Sequence, residues 1–153
     1  MDPTVSEKIE VNASPGRVYE LITDLRSLAG LAEETVSCTL LGGATAVEVG
    51  ARFRGAQKRG LRRWTTVSTV TDVEPGERFA FNVKSVGIPV SRWLYEITTT
   101  PGGCVVTEST WDRRPKWFEI VSRVATGVTD RATVNRHNIT ATLERLKAKA
   151  EKA

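Results

Sequence analysis

Residues 64–111 read WTTVSTVTDVEPGERFAFNVKSVGIPVSRWLYEITTTPGGCVVTESTW, and four segments with alternating apolar positions follow one another within them. Pro75-Gly76, Gly87 and Pro101-Gly102-Gly103 separate the segments and supply the fixed or positive φ angles that tight turns require. Because these links are short, consecutive segments predict neighbouring antiparallel strands. The four predicted strands are Trp64–Val73, Phe79–Val83, Arg92–Thr99 and Cys104–Trp111.

Upstream of this region, the sequence predicts three more strands and two short helices. The strands are Val5–Asn12, Val36–Leu41 and Val49–Gln57. Ser14 and Pro15 are typical of a helix start, because the serine side chain accepts a backbone N–H and proline needs no partner for its nitrogen. Asp24 is a candidate cap for a second short helix that runs to about Ala32.

After Pro115 the apolar period becomes helical. Nine residues lie three or four positions apart, which predicts one helix of about 30 residues and about 45 Å. Gly127 lies beside this apolar stripe and indicates either a close strand contact or a bend. We expect the polar tail 147–153 to fray. The stripe consists of Trp117, Val121, Val124, Val128, Ala132, Asn135, Ile139, Leu143 and Leu146.

These elements predict an α+β fold in which a curved seven-stranded antiparallel sheet packs around a long C-terminal helix, with two short helices between strands 1 and 2. The 153 residues suit a single domain, 1–153, with an ordered core of about 5–147. Two cysteines and one histidine do not make a disulfide framework or a zinc site, so we expect no metal and no other cofactor. No apolar run reaches the ~20 residues of a membrane span, and the first ten residues lack a signal-peptide core, so we expect a cytoplasmic protein.

The net charge of +4 comes from one segment. Residues 52–63 contain six basic residues and no acid, and the rest of the chain carries 16 basic and 18 acidic residues. One interpretation is a binding surface for a protein or RNA partner, and the other is a solvated hairpin tip whose charges discourage edge pairing. We prefer the second, because the segment lacks the interleaved aromatic residues that single-stranded nucleic acid requires. The basic residues are Arg52, Arg54, Lys58, Arg59, Arg62 and Arg63.

The order of elements and several short motifs resemble the START-like (SRPBCC, helix-grip) superfamily, and within it the polyketide cyclase/dehydrase and lipid-transport proteins. The resemblance covers about residues 5–146. It implies a deep cavity between the sheet and the C-terminal helix, and a hydrophobic small molecule as the bound partner. Some members of the superfamily are cyclases or aromatases, so the resemblance predicts the fold better than the reaction. The motifs are Ala13–Asp24, Val70–Phe79, Trp93–Tyr95 with Gly103–Ser109, and Leu143–Lys149.

Strand alternation and the helical stripe together predict which residues line such a cavity. Aromatic pairs on alternate positions can wall an apolar pocket, although they can equally pack a closed core. Asn135 is the one polar residue of the stripe, and either a ligand or a neighbouring main chain could satisfy its amide. The predicted ligand-binding residues are Trp64, Thr66, Phe81, Trp93, Tyr95, Val106, Glu108, Thr110, Val128, Asn135 and Ile139.

Glu108 is the candidate for chemistry, because it points inward from the middle of a strand and a buried carboxylate is costly without a partner. It is either an acid/base group with a raised pKa or a structural acid paired with arginine or backbone donors. The preferred hypothesis is a ligand-binding protein. The alternative is a polyketide cyclase, aromatase or dehydratase in which Glu108 transfers protons and Tyr95 polarises a carbonyl. A partner-binding module that uses the basic hairpin 52–63 is the third hypothesis.

Overall fold

The computed structural model describes residues 2–152, which contain seven strands and four helices. The sheet order is β1-β7-β6-β5-β4-β3-β2, and every neighbouring pair is antiparallel. This confirms the predicted antiparallel meander and the helix-grip α+β fold, and it adds that the first strand pairs with the last. The strands are β1 Val5–Val11, β2 Thr35–Leu40, β3 Arg52–Arg59, β4 Arg62–Glu74, β5 Arg78–Ser85, β6 Ile88–Thr100 and β7 Gly103–Asp112; the helices are α1 Pro15–Thr23, α2 Leu25–Leu31, α3 Lys116–Thr126 and α4 Arg131–Ala150.

The two short helices begin as the sequence predicts. Ser14 accepts the backbone N–H of Arg17 at 3.1 Å at the start of α1. Asp24 ends α1 and caps α2 by accepting the N–H of Arg26 at 3.0 Å. The apolar faces of both helices are buried, so this pair covers one part of the sheet.

The third predicted strand begins three residues later than expected. Val49 is exposed and Gly50 adopts a positive φ of 90°, a conformation that favours glycine and turns the chain. The strand therefore starts at Arg52 rather than Val49. Alternation alone did not reveal this turn, because Val49 and Ala51 keep the strand period across it.

The prediction of one continuous C-terminal helix is wrong. Gly127 adopts a left-handed φ of 75° and ends α3, with its N–H bonded to the carbonyl of Arg123. Asp130 then caps α4 by accepting the N–H of Thr133 at 3.2 Å. As a consequence, the residues of the stripe that lie on α3 are exposed, whereas Ile139, Leu143 and Leu146 on α4 are buried in the core.

The C-terminal tail is also more ordered than predicted. Residues 147–150 continue α4, and Ala150 is buried against the core. Lys147 Nζ donates to the carbonyl of Glu10 at 2.9 Å, and the N–H of Asn12 donates to Glu151 at 2.7 Å. These contacts join the end of α4 to the end of β1. The polar composition of the tail did not predict them.

Candidate functional site

A cavity of about 180 Å³ lies between the sheet, α2, α3 and α4. Strands β2 to β7 supply the wall on the sheet side, and α4 supplies the opposite wall. Ser122 and Thr126 of α3 also line it, so the break at Gly127 lets a separate short helix cover part of the cavity. Eight of the predicted ligand-binding residues line this cavity: Trp64, Thr66, Phe81, Trp93, Tyr95, Glu108, Asn135 and Ile139.

The other three predicted residues do not line it. Val106 is fully buried in the hydrophobic core, where it pairs across the strands with Ile9 and Ile97. Thr110 is also buried, and its hydroxyl donates to the carbonyl of Arg92 at 3.0 Å. Val128 is buried in the turn between α3 and α4. Strand alternation predicted inward orientation, but it does not distinguish the part of the sheet that faces the cavity from the part that packs as core.

Glu108 and Tyr95 lie directly opposite each other on β7 and β6. Both are buried, and they are joined by a side-chain hydrogen bond in which the tyrosine hydroxyl donates. Burial raises the pKa of Glu108 to about 8, although the bond from Tyr95 opposes this shift. Oε1 of Glu108 is buried without a hydrogen-bond partner. The carboxyl group therefore presents one unsatisfied oxygen and is largely protonated at neutral pH.

The tyrosine is held by the same arrangement. Burial raises the pKa of Tyr95 well above its usual value, and the negative charge that Glu108 carries once it ionises raises it further. Tyr95 therefore stays neutral, with its hydroxyl engaged by the carboxyl group rather than directed at a separate point in the cavity.

The aromatic wall consists of half-buried and buried rings. The Trp93 indole lies against the core and donates its Nε1–H to Ser91 Oγ at 2.9 Å. Phe81 packs edge-on against Phe53, with ring centroids 5.3 Å apart. Phe53 also lines the cavity and was not predicted, although the alternation of β3 places it inward.

A polar cluster at the cavity was not predicted from the sequence. Oε1 of Glu34 accepts bonds from Arg131 at 2.6 Å and from the Asn138 amide at 3.0 Å. Oε2 of Glu34 and Oδ1 of Asn138 are buried without partners. The Arg131 guanidinium lies 5.9 Å from the centre of the Trp64 ring, a cation–π distance. Glu34 carries no sequence signal, because it lies between α2 and β2, outside every periodic segment.

Asn138 carries a signal that could have found it. Asn135, Asn138 and Thr142 recur at helical spacing, and all three line the cavity beside Ile139. The predicted stripe followed the apolar residues and treated Asn135 as an isolated polar position. Polar residues at helical spacing beside the apolar stripe indicate that this side of the helix faces a space that holds water or a ligand, rather than a closed core.

Cys38 lines the cavity, and burial raises the pKa of its thiol to about 11, so the thiol is not a reactive thiolate at neutral pH.

Within residues 2–152, no three His, Cys, Asp or Glu side chains come together as ligands for a metal ion. None of the described helices is long and apolar enough to cross a membrane. Among the side chains that line the cavity are carboxyl, hydroxyl, amide and guanidinium groups.

Several solved structures share this fold. Protein CV1439 from Chromobacterium violaceum matches with a TM-score of 0.73 at 15% identity, over 97% of this chain and 98% of that one. The polyketide-cyclase-like protein Cgl2372 from Corynebacterium glutamicum matches with a TM-score of 0.64 at 24% identity, over 96% and 90%. The di-domain ARO/CYC protein StfQ of the steffimycin biosynthetic pathway matches with a TM-score of 0.72 at 16% identity, over 96% of this chain and 50% of that one.

These identities show a common fold and do not transfer an activity. No curated protein matches the chain significantly. The family model for polyketide cyclase / dehydrase and lipid transport matches residues 2–151. Since that match spans nearly the whole sequence, the chain belongs to the polyketide cyclase / dehydrase and lipid transport family.

Proposed function

We propose that this protein binds one compact hydrophobic molecule in the cavity between the sheet and α4. The observation that carries the proposal is a cavity walled by Phe53, Phe81 and Trp93 that contains a buried carboxyl oxygen without a partner. Aromatic walls with few polar groups are typical of small-molecule sites. The volume of about 180 Å³ is below the roughly 300–1,000 Å³ of drug-sized pockets, so the ligand has one or two rings.

The unpartnered polar atoms indicate what the ligand carries. Glu108 Oε1, Glu34 Oε2 and Asn138 Oδ1 are oxygens at the cavity, and all three lack partners. Glu34 Oε2 and Asn138 Oδ1 are acceptors, whereas the protonated Glu108 carboxyl group is also a donor. A buried polar atom without a partner costs about 1–3 kcal/mol, so a ligand hydroxyl group, which both donates and accepts, gains affinity at either kind of oxygen. A fatty acid or another anionic ligand would instead bring a negative charge toward Glu34. We therefore propose a neutral, hydroxylated ligand.

Native mass spectrometry of the purified protein tests this proposal. We expect a complex of one chain with one small molecule, which organic extraction then releases for identification. Asn135→Leu keeps a branched side chain with the same number of heavy atoms but removes one amide, and should weaken retention of a hydroxylated molecule. A protein that carries no small molecule, and takes up none when incubated with a hydroxylated naphthalene, would contradict the proposal.

A second candidate function is cyclisation of a polyketide-like chain. The observation that favours it is the pKa of about 8 for Glu108, which suits proton transfer near neutral pH. In a carbon–carbon bond-forming step, the enol carbon of one ketone attacks the carbonyl carbon of another, and the carbonyl π bond breaks. Neutral Glu108 donates its proton to the carbonyl oxygen, and the proton that the enol hydroxyl loses restores the neutral carboxyl group. Tyr95 positions the carboxyl group through its hydrogen bond, and the cavity holds the chain folded.

Turnover of a synthetic poly-β-ketothioester, compared with its spontaneous cyclisation, tests the cyclase role. Glu108→Gln should lower the enzymatic rate about 10²-fold or more, and the wild-type rate should fall as the pH rises through about 8. Tyr95→Phe should shift this pH profile because it removes the bond to Glu108. A rate that Glu108→Gln leaves unchanged would exclude the assignment, while ligand binding without turnover would support the binding function alone.

A further inference from the structure

Helix α3 has an apolar face that points away from the protein. Trp117, Ile120, Val121 and Val124 are between 49% and 74% exposed. Their spacing of i, i+3, i+4 and i+7 places them on one side of the helix. The opposite side is buried through Phe118, Ser122 and Thr126, and two of these three residues are polar. These four large apolar side chains therefore form one contiguous exposed patch. Such patches mark interaction sites, whereas single exposed apolar residues are normal on protein surfaces.

The tip of the β3–β4 hairpin adjoins the C-terminal end of this helix. Arg62 Nε donates to the carbonyl of Val124 at 3.2 Å. A side chain at Gly127 would contact the Arg62 guanidinium at 3.0 Å, so the two segments approach closely. Leu61, at the very tip, is fully exposed. The apolar face of α3 and the hairpin tip therefore lie beside each other.

The hairpin is strongly cationic, and its charges face one another. Lys58 lies directly opposite Arg63, and Arg59 lies directly opposite Arg62. Like charges in facing positions of a sheet destabilise it. No ion-pair partner for these four cations occurs within residues 2–152. This part of the chain therefore carries a dense positive charge that is available to an anionic surface.

Helix α3 extends the same charge pattern. At 100° per residue, Lys116 and Arg123 project along one border of the exposed apolar face, next to Ile120. The acidic residue of this helix, Glu119, has its carboxylate 3.9 Å from the Arg114 guanidinium. An apolar face bordered by cations is the pattern of a helix that lies in the interface of an anionic bilayer, and tryptophan is favoured at that depth.

We propose that α3 and the tip of the β3–β4 hairpin dock the protein on an anionic membrane surface. The apolar residues of α3 and Leu61 enter the interfacial region, while Lys58, Arg59 and Arg63 contact lipid headgroups. The other side of α3 lines the cavity, so docking brings the cavity within about one helix diameter, ~10 Å, of the lipid. This proposal does not depend on which ligand the cavity holds.

Co-sedimentation with lipid vesicles tests the proposal. The wild-type protein should bind vesicles of an equimolar phosphatidylcholine–phosphatidylserine mixture far more than vesicles of phosphatidylcholine alone, and added salt should weaken the binding. The double variant Lys58→Gln/Arg63→Gln should lower the partition coefficient roughly fivefold per charge, without lowering the melting temperature because it removes a repulsive pair. Arg17→Gln/Arg26→Gln, which removes two exposed cations from α1 and α2, is the matched control and should bind like the wild type.

The apolar half of the surface needs its own variants. Ile120→Ser/Val124→Ser should lose vesicle binding while the fold is retained, because both side chains are exposed. Quenching of tryptophan fluorescence by brominated lipid should occur in the wild type and disappear in Trp117→Phe. Equal binding to neutral and anionic vesicles, equal loss in the α1–α2 control, or no vesicle binding would overturn the proposal. A dimer that Val124→Asp dissociates, without vesicle binding, would reassign this face to a second copy of the chain.

Discussion

At the scale of single residues, two carboxyl groups at the cavity have different surroundings and therefore different charge states. Glu108 has Tyr95 as its neighbour and no ion-pair partner among residues 2–152, and desolvation raises its pKa to about 8. Glu34 has a guanidinium 2.6 Å away and an amide at 3.0 Å. The same side-chain type therefore acts as a neutral acid at one point of the cavity and as a member of an ion pair at another.

Glu108 makes stability depend on pH. Its pKa is raised in the folded protein, so the native state holds a proton that the unfolded chain has already lost between about pH 4.5 and 8. The free energy of unfolding is therefore highest below the unfolded pKa and falls as the pH rises to about 8, by at most ~1.4 kcal/mol per pH unit for one group. Glu108→Gln should remove this slope.

Chemical denaturation at pH 5 and pH 9 measures the effect. We expect Glu108→Gln to be more stable relative to the wild type at pH 9 than at pH 5, by a few kcal/mol. Glu96→Gln is a useful control, because Glu96 is a half-exposed acid on the same sheet, paired with Arg78. A relative stability that does not change with pH would mean that Glu108 is ionised in the folded protein.

The ion pair between Arg131 and Glu34 should be much more important for stability than the exposed pair between Arg145 and Glu33. Both pairs have N–O distances of 2.6 Å, but the side chains of the first are 14% and 12% exposed and those of the second are 45% and 33% exposed. Arg131→Met should cost about 2–3 kcal/mol because it leaves a carboxylate buried with only an amide partner. Arg145→Met should cost about 1 kcal/mol, because it removes an exposed ion pair and the bond from Arg145 to the carbonyl of Leu31 at 3.1 Å.

Urea unfolding of both variants, together with Arg131→Met/Glu34→Gln, measures this difference. The double variant should recover much of the loss, since removing the second charge removes the unpaired carboxylate. Equal costs for Arg131→Met and Arg145→Met would show that the cavity pair is as well solvated as the surface pair.

At the scale of elements, the break between α3 and α4 determines how the cavity is covered. The left-handed φ of Gly127 costs a residue with a β-carbon about 1–2 kcal/mol. A β-carbon there would also press on Arg62 at 3.0 Å. Gly127→Ala should therefore destabilise the protein by about 1–2 kcal/mol, as measured by thermal or urea unfolding.

Gly16 provides the matched comparison. It lies in α1 and does not adopt a positive φ, and a β-carbon at this position would meet no heavy atom within 4 Å. Gly16→Ala should be neutral or stabilising by up to about 1 kcal/mol, because alanine is the better helix former. A loss for Gly16→Ala that equals the loss for Gly127→Ala would contradict the role assigned to the left-handed helix end.

This break also shows what periodicity predicts and what it does not. The strands and their order follow from alternation and turn residues, since both are local properties of the chain. The stripe from Trp117 to Leu146 keeps its 3.6-residue period across Gly127, so spacing alone predicts one helix. The local signals at residues 127 and 130, a glycine followed by an aspartate cap, instead favour the end of one helix and the start of another.

At the scale of the whole molecule, part of the cavity could be predicted and part could not. Trp93, Tyr95 and Glu108 follow from the parity of two strands. Glu34, Arg131 and Asn138 meet only because the loop after α2 and the start of α4 converge in space. The volume of the cavity depends on how three helices pack over the sheet, and no spacing in the sequence contains that information.

The central claim is that the space between the sheet and α4 binds a hydrophobic molecule. Fluorescence titration with the neutral two-ring probe 2-naphthol tests it most directly. The wild type and Ile120→Ser/Val124→Ser, which alters only the exposed face of α3, should each bind one probe per chain. Ser68→Phe and Thr142→Phe place rings into the cavity from β4 and α4 and should weaken binding at least about tenfold. If either folded variant binds one probe with unchanged affinity, or if the wild type shows no saturable binding, the claim is contradicted.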